Sequence, residues 1–149
     1  MNYIIQCLVA FTGCLGFSFV FRIHKNPRFT LTGSIGGTIG WIVYLLLEKQ
    51  AGTIISSLLA MMVVGLFSEI MARVYKAPAT IFVIVGCFPL VPGKGIYQTM
   101  LYLISNNRDM FIDSLLNTVG IALALATALL IVSTFFKVIK NIKSVGHQL

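Results

Sequence analysis

Polar and apolar positions along the chain fall into long charge-free runs separated by short charged clusters. The runs cover residues 1–21, 29–47, 50–68, 77–93, 95–107 and 114–136. Arg22, Lys25 and Arg28 close the first, with His24 and Pro27 among them. Glu48 and Lys49 close the second, Glu69, Arg73 and Lys76 the third, and Lys94 the fourth. Arg108, Asp109 and Asp113 follow the short fifth run, and a tail bearing Lys137, Lys140 and Lys143 follows the last. A bilayer-spanning helix needs about 20 apolar residues, within a range of about 17–25. All runs except 95–107 reach that length. The pattern predicts an all-α polytopic membrane protein with about five transmembrane helices, forming one transmembrane domain over residues 1–149.

The fourth of these predicted spans carries an interruption. Pro89, Leu90, Val91, Pro92, Gly93 and Lys94 cannot continue a straight helix, because proline lacks the N–H and its ring clashes with the preceding turn. A straight helix from Ala77 to Asn107 would be about 46 Å long, against a hydrocarbon core of roughly 30 Å. The expectation is one crossing broken by a Pro-x-x-Pro-Gly element, with residues 95–107 bending away as an interfacial or cavity-lining half-helix. Ile96, Met100, Leu103 and Ile104 fall on one face of that half-helix, and Tyr97 and Tyr102 suit an interface. Carbonyls freed at such a break must be satisfied inside protein or beside water. Broken helices at membrane depth recur at transporter binding sites. On this ground Pro89, Pro92 and Gly93 are candidates for a substrate path.

Composition agrees with a membrane class. The chain is 58% hydrophobic and only 10% charged, with mean hydropathy +0.95, whereas a soluble domain carries roughly 25% charged residues. The net charge of +7 comes from residues flanking apolar segments, so no nucleic-acid partner is expected. With the N-terminus outside, eight Lys and Arg residues fall on the cytoplasmic side and only Lys49, Lys94 and Arg108 outside. That asymmetry places the C-terminus in the cytoplasm. A sixth crossing by 95–107 would move the three-lysine tail outside. Cys7, Cys14 and Cys87 all lie in apolar segments, with no CxxC or Cys/His cluster to hold a metal. Phe11-Thr12-Gly13-Cys14 has the look of a lipoprotein cleavage box, but no Lys or Arg precedes it. Residues 1–21 are therefore expected to be a retained first span.

Several further residues are candidates for packing or chemistry. Gly33, Gly36, Gly37 and Gly40 sit at four-residue spacings inside an apolar run, which lets another backbone approach closely. The alternative is a backbone role in a substrate path. The stretch lacks the terminal Gly-Lys-Ser/Thr of a phosphate loop. Glu69 and Arg73 at i, i+4 read as a helix ion pair or as a proton or substrate group. Asn117, one turn inside the last span, reads as an interhelical hydrogen bond or a ligand contact. Lys94 either attracts an anionic substrate or snorkels to the outer surface. Trp41 and Tyr44 suggest aromatic packing near the outer interface. His24 and His147 lie in a basic loop and at the terminus, and no catalytic set, cofactor motif or nucleotide motif is present. The chain is not expected to be an enzyme.

The stretch Ile81-Phe82-Val83-Ile84-Val85-Gly86-Cys87-Phe88-Pro89-Leu90-Val91-Pro92-Gly93, followed by Tyr97, resembles the small subunit of the threonine/serine exporter family. That family's pattern is an apolar segment ending in Pro-x-x-Pro-Gly with a tyrosine four residues later. Through this resemblance Tyr97, four residues after Gly93, joins Pro89, Pro92 and Gly93 as a candidate for the substrate path. Asn26-Pro27-Arg28 leading into Leu31 and Gly33-Ser34-Ile35-Gly36 is similar to its basic loop and second span. Ala72-Arg73 followed by Pro78 is similar to the approach to the motif span. Lys94 is outside the pattern. The resemblance implies a secondary exporter of threonine, serine or a related amino acid or dicarboxylate in the bacterial inner membrane. It also implies a larger multispanning partner subunit. A non-transporting membrane assembly or scaffold subunit is the alternative.

Overall fold

The computed structural model describes residues 3–21 and 27–145, with side chains through residue 139. Arg22, His24, Lys25, Asn26 and His147 lie outside the described residues, as do the side chains of Lys140 and Lys143. The described chain is helical: α1 (Tyr3–Val20), α2 (Pro27–Tyr75), α3 (Ala79–Cys87), a 3-10 turn (Phe88–Leu90), α4 (Gly93–Ile104) and α5 (Arg108–Val145). No strand occurs among the described residues. Helices α1, α2 and α5 are each long and apolar enough to cross a membrane. Helices α3 and α4, bent by 49° across the intervening break, together make a fourth candidate.

Pro27 opens α2, where the missing N–H costs nothing. The helix has 49 residues, which would make a rod of about 74 Å, far longer than the hydrocarbon core. It does not run straight. Gly52 adopts φ 77, ψ 169, a conformation open essentially to glycine alone. The arms on either side fold back on each other. Gly40 lies against Val64 and Ala60, Gly36 against Phe67, and the Thr32 hydroxyl donates to the Tyr75 hydroxyl at 3.2 Å. These pairings run antiparallel from the Gly52 turn to the far ends of both arms. The reversal therefore lies beyond Glu48 and Lys49, the charges at which the sequence pattern put it, and those two residues remain helical.

The other helix ends use standard stop signals. At Lys76 the backbone turns left-handed (φ 51), and the Ala77 N–H bonds the Ala72 carbonyl at 2.9 Å. Asn106 (φ 53) ends α4 in the same way, with Asn107 N–H on the Tyr102 carbonyl at 3.1 Å. This is the six-to-one bond of a Schellman cap. Asn107 then caps α5, its side-chain oxygen accepting from the Met110 N–H at 3.4 Å. The tight turn folds α4 back along α5. Gly95 meets Thr118, and the Thr99 and Ser114 hydroxyls bond each other at 2.9 Å.

The core is built from small residues. Ala60, Met61, Val64, Leu90 and Ala128 form its buried cluster, with Trp41 and Tyr44 packed against it. The stripe Gly33, Gly36, Gly37 and Gly40 is buried where α1, α3 and both arms of α2 converge. A Cβ at Gly37 would stand 2.7 Å from the Cys14 sulfur and 3.2 Å from the Gly86 backbone. A Cβ at Gly33 would stand 3.0 Å from Val85. Several buried hydroxyls turn back onto their own helices, as Ser34 does on Thr30 O (2.9 Å) and Ser57 on Thr53 O (2.7 Å), while those of Thr30, Ser56 and Ser68 have no partner among the described residues. The back-bonds satisfy polar groups where water is absent. Large apolar side chains such as Ile4, Val20, Leu46 and Ile104 point outward and are more than two-thirds exposed, as lipid-facing surfaces require.

Candidate functional site

The α3–α4 break is anchored on its inner side and open on its outer side. Leu90 of the 3-10 turn enters the core, and Phe88 packs against Phe17 of α1 with ring centroids 4.4 Å apart and planes tilted by 31°. After it, Val91 is extended (φ −61, ψ 129). Pro92 (φ −77, ψ 55) makes an inverse γ-turn, closed by the Gly93 N–H on the Val91 carbonyl at 2.8 Å. Ile96 N–H then bonds the Pro92 carbonyl at 3.0 Å, which starts α4. No side chain caps this start. The Lys94 and Gly95 N–H groups belong to the orphan donors of a first turn, and among the described residues they find no acceptor.

Lys94 and Gly95 line a cavity of about 410 Å³, within the range of small-molecule sites. Its wall is assembled from every long element. Helix α1 supplies Gln6, and the arms of α2 supply Trp41, Tyr44, Glu48, Thr53 and Ser57. The break supplies Pro89 through Gly95, α4 supplies Gln98, and α5 supplies Asn117 and Ile121. Glu48 and Lys94 are the charged groups on this wall. Tyr44 donates its hydroxyl to Glu48 Oε1 at 3.1 Å. Its ring stacks on Trp41 at 5.2 Å and 20°, so the phenol and the carboxylate are held together on one helix face. The Trp41 indole N–H is buried without a partner among the described residues. Thr53 donates to Asn117 Oδ1 at 3.0 Å, tying α2 to α5 across the wall and leaving the Asn117 amide N–H donors free among the described residues. An acid, a base, amides and the uncapped start of α4 thus line one space whose chemistry suits a small charged or zwitterionic solute.

The residues singled out from the sequence separate into three places. Pro89, Pro92, Gly93 and Asn117 line the cavity, and Lys94 joins them there. Asn117 also makes the interhelical bond that was the other reading of it. Tyr97 faces away, 67% exposed. Glu69 and Arg73 lie outside the cavity wall, and Arg73 sits over the Phe136 ring at 4.5 Å. No Glu69–Arg73 ion pair forms among the described residues. Gly33, Gly36, Gly37 and Gly40 sit in the helix-packing zone. Trp41 and Tyr44 stack as a pair, but on the cavity wall. Sequence reasoning passed over Glu48, Gln98 and Gln6. The one local signal for Glu48 was Tyr44 four residues earlier, a spacing that places both on one helix face.

A family model described as Threonine/Serine exporter, ThrE, matches residues 6–135. The chain belongs to the threonine/serine exporter family. No curated protein and no solved structure matches it. The matched stretch begins at Gln6 and includes every residue on the cavity wall. ThrE membership, with the long apolar helices, makes this a membrane-embedded protein with an exporter-type transport role. It also points away from an enzyme.

Proposed function

We propose that the chain is the small subunit of a secondary exporter of small polar metabolites, threonine, serine or a related amino or organic acid, and that the cavity beside the α3–α4 break is part of its substrate path. The observation that carries the reading is the convergence on this cavity of the uncapped start of α4, Lys94, Glu48 and Asn117. Partial positive charge at a helix start and dispersed amides can hold a charged solute without many buried ions. Counting the two arms of α2 separately, and α3 with α4 as one broken crossing, gives five spans in a single transmembrane domain. Five spans with the N-terminus outside agree with the asymmetry of Lys and Arg along the chain. In this topology the α4–α5 turn at Asn106 lies outside and the C-terminal tail in the cytoplasm of a bacterial inner membrane. Export draws on an ion gradient, in keeping with the lack of a nucleotide motif. The larger multispanning subunit completes the path beside this cavity.

Reconstitution tests this. The chain is placed in proteoliposomes with and without the larger subunit, and efflux of labelled threonine, serine and succinate is followed under an imposed ion gradient. The expected result is gradient-driven efflux of at least one solute with both subunits present, abolished by Gly93→Leu at matched protein level. Efflux that is independent of this chain would leave it a scaffold and refute the reading.

A further inference from the structure

The cavity carries one acidic and one basic side chain, Glu48 from α2 and Lys94 from the first turn of α4. The two form no ion pair with each other among the described residues, so neither neutralises the other across the space. Glu48 is exposed, but its carboxylate is held in place. Tyr44 holds one of its oxygens at 3.1 Å, and the stack of Tyr44 on Trp41 fixes the phenol. A carboxylate positioned in this way on the cavity wall is matched best by a cationic hydrogen-bond donor. Lys94 correspondingly favours a carboxylate.

Building on the exporter reading, we propose that Glu48 is the specificity-determining residue of the cavity, binding the ammonium group of a substrate whose carboxylate is taken by Lys94. A zwitterion offers an ammonium to Glu48 and a carboxylate to Lys94. A dicarboxylate of similar length satisfies Lys94 but sets its second carboxylate against Glu48, and this repulsion works as discrimination. Tyr44 acts through Glu48 as a positioning residue, keeping the carboxylate turned into the cavity.

The test uses the two-subunit complex in proteoliposomes and measures inhibition of labelled threonine efflux by three competitors. They are unlabelled threonine, the hydroxy acid in which a hydroxyl replaces the amine, and threonine amide, in which an amide replaces the carboxylate. In the wild type, threonine competes about tenfold or more better than the hydroxy acid, as expected for one charge-assisted hydrogen bond. In Glu48→Gln that ratio falls toward one, because threonine weakens while the hydroxy acid does not. Lys94→Gln keeps the ratio and instead loses the preference for threonine over threonine amide. Tyr44→Phe lowers the ratio partially, and it carries the test if Glu48→Gln does not insert. Efflux in the wild type with an unchanged ratio in Glu48→Gln and Tyr44→Phe overturns the role of Glu48 while leaving the exporter reading standing. Failure of the wild-type complex to move any solute overturns both.

Discussion

Gly37 is the position where a single methyl group should expose how tightly the helices converge. Replacing glycine by alanine inside a helix is intrinsically favourable by about 1 kcal/mol. Against that stands crowding. The new Cβ at Gly37 would meet the Cys14 sulfur at 2.7 Å and both the Cα and O of Gly86 at 3.2 Å. A side chain can rotate away, but the Gly86 backbone can move only if α3 moves. Overpacking of a filled interior costs about 1–3 kcal/mol, and a backbone obstacle places Gly37 in the upper part of that range. The net expectation is a loss of about 1–2 kcal/mol, or a melting point lower by about 2–8 °C for a chain of this size. Gly36 is the matched comparison. The nearest atoms to its Cβ would be those of the Phe67 ring, at 2.7 Å, and a ring can swing, so crowding and helix propensity nearly cancel. Gly16 of α1 is the open control, with nothing within 4 Å; alanine there should stabilise by up to about 1 kcal/mol. Thermal unfolding of the three purified variants in one detergent gives the order directly. Gly37→Ala melting at or above Gly36→Ala would refute the idea that the glycine stripe serves close backbone approach within this chain.

Gly52→Ala has space around it but must accept φ +77, so it should cost about 1–3 kcal/mol by backbone strain alone, measured by the same unfolding assay. Asn106 is left-handed at φ 53; Asn106→Gly should match or exceed the wild type in stability, while Asn106→Ala should lose about 1 kcal/mol. At Gly93, where a Cβ meets nothing within 4 Å, Gly93→Ala should retain export and Gly93→Leu, whose side chain reaches into the cavity, should abolish it at equal expression. Pro92→Ala should extend α4 backward and impair export more than membrane insertion, read by comparing efflux with the amount of protein in the membrane fraction.

Local features of the chain were readable wherever chemistry is local. Charge-free runs mark the apolar helices, and two prolines three positions apart explain why α3 stops at Cys87 and α4 begins at Gly93. Gly52 was not legible. A lone glycine in an apolar run is ordinary, and the neighbouring Glu48 and Lys49 looked like the end of a span. The site was less legible than the helices. Asn117, Pro89, Pro92 and Gly93 were found from their incompatibility with a plain lipid-exposed helix. Glu48 was read only as a boundary charge, because its place on the cavity wall depends on α1, α4 and α5 arriving beside it. Tyr97 was named from its spacing after Gly93, yet the helical rotation of α4 turns it outward and brings Gln98 inward.

The central claim, that solute passes through the cavity at the break, is tested most directly by thiol protection at Gln98. In a variant whose Cys7, Cys14 and Cys87 are alanine, Gln98→Cys puts one thiol on the cavity wall. Its labelling by a small hydrophilic maleimide is timed in the two-subunit complex with and without the transported solute. The account predicts that saturating solute slows labelling and that completed labelling stops efflux. Labelling at the same rate with and without solute, and efflux that continues after complete labelling, would contradict it.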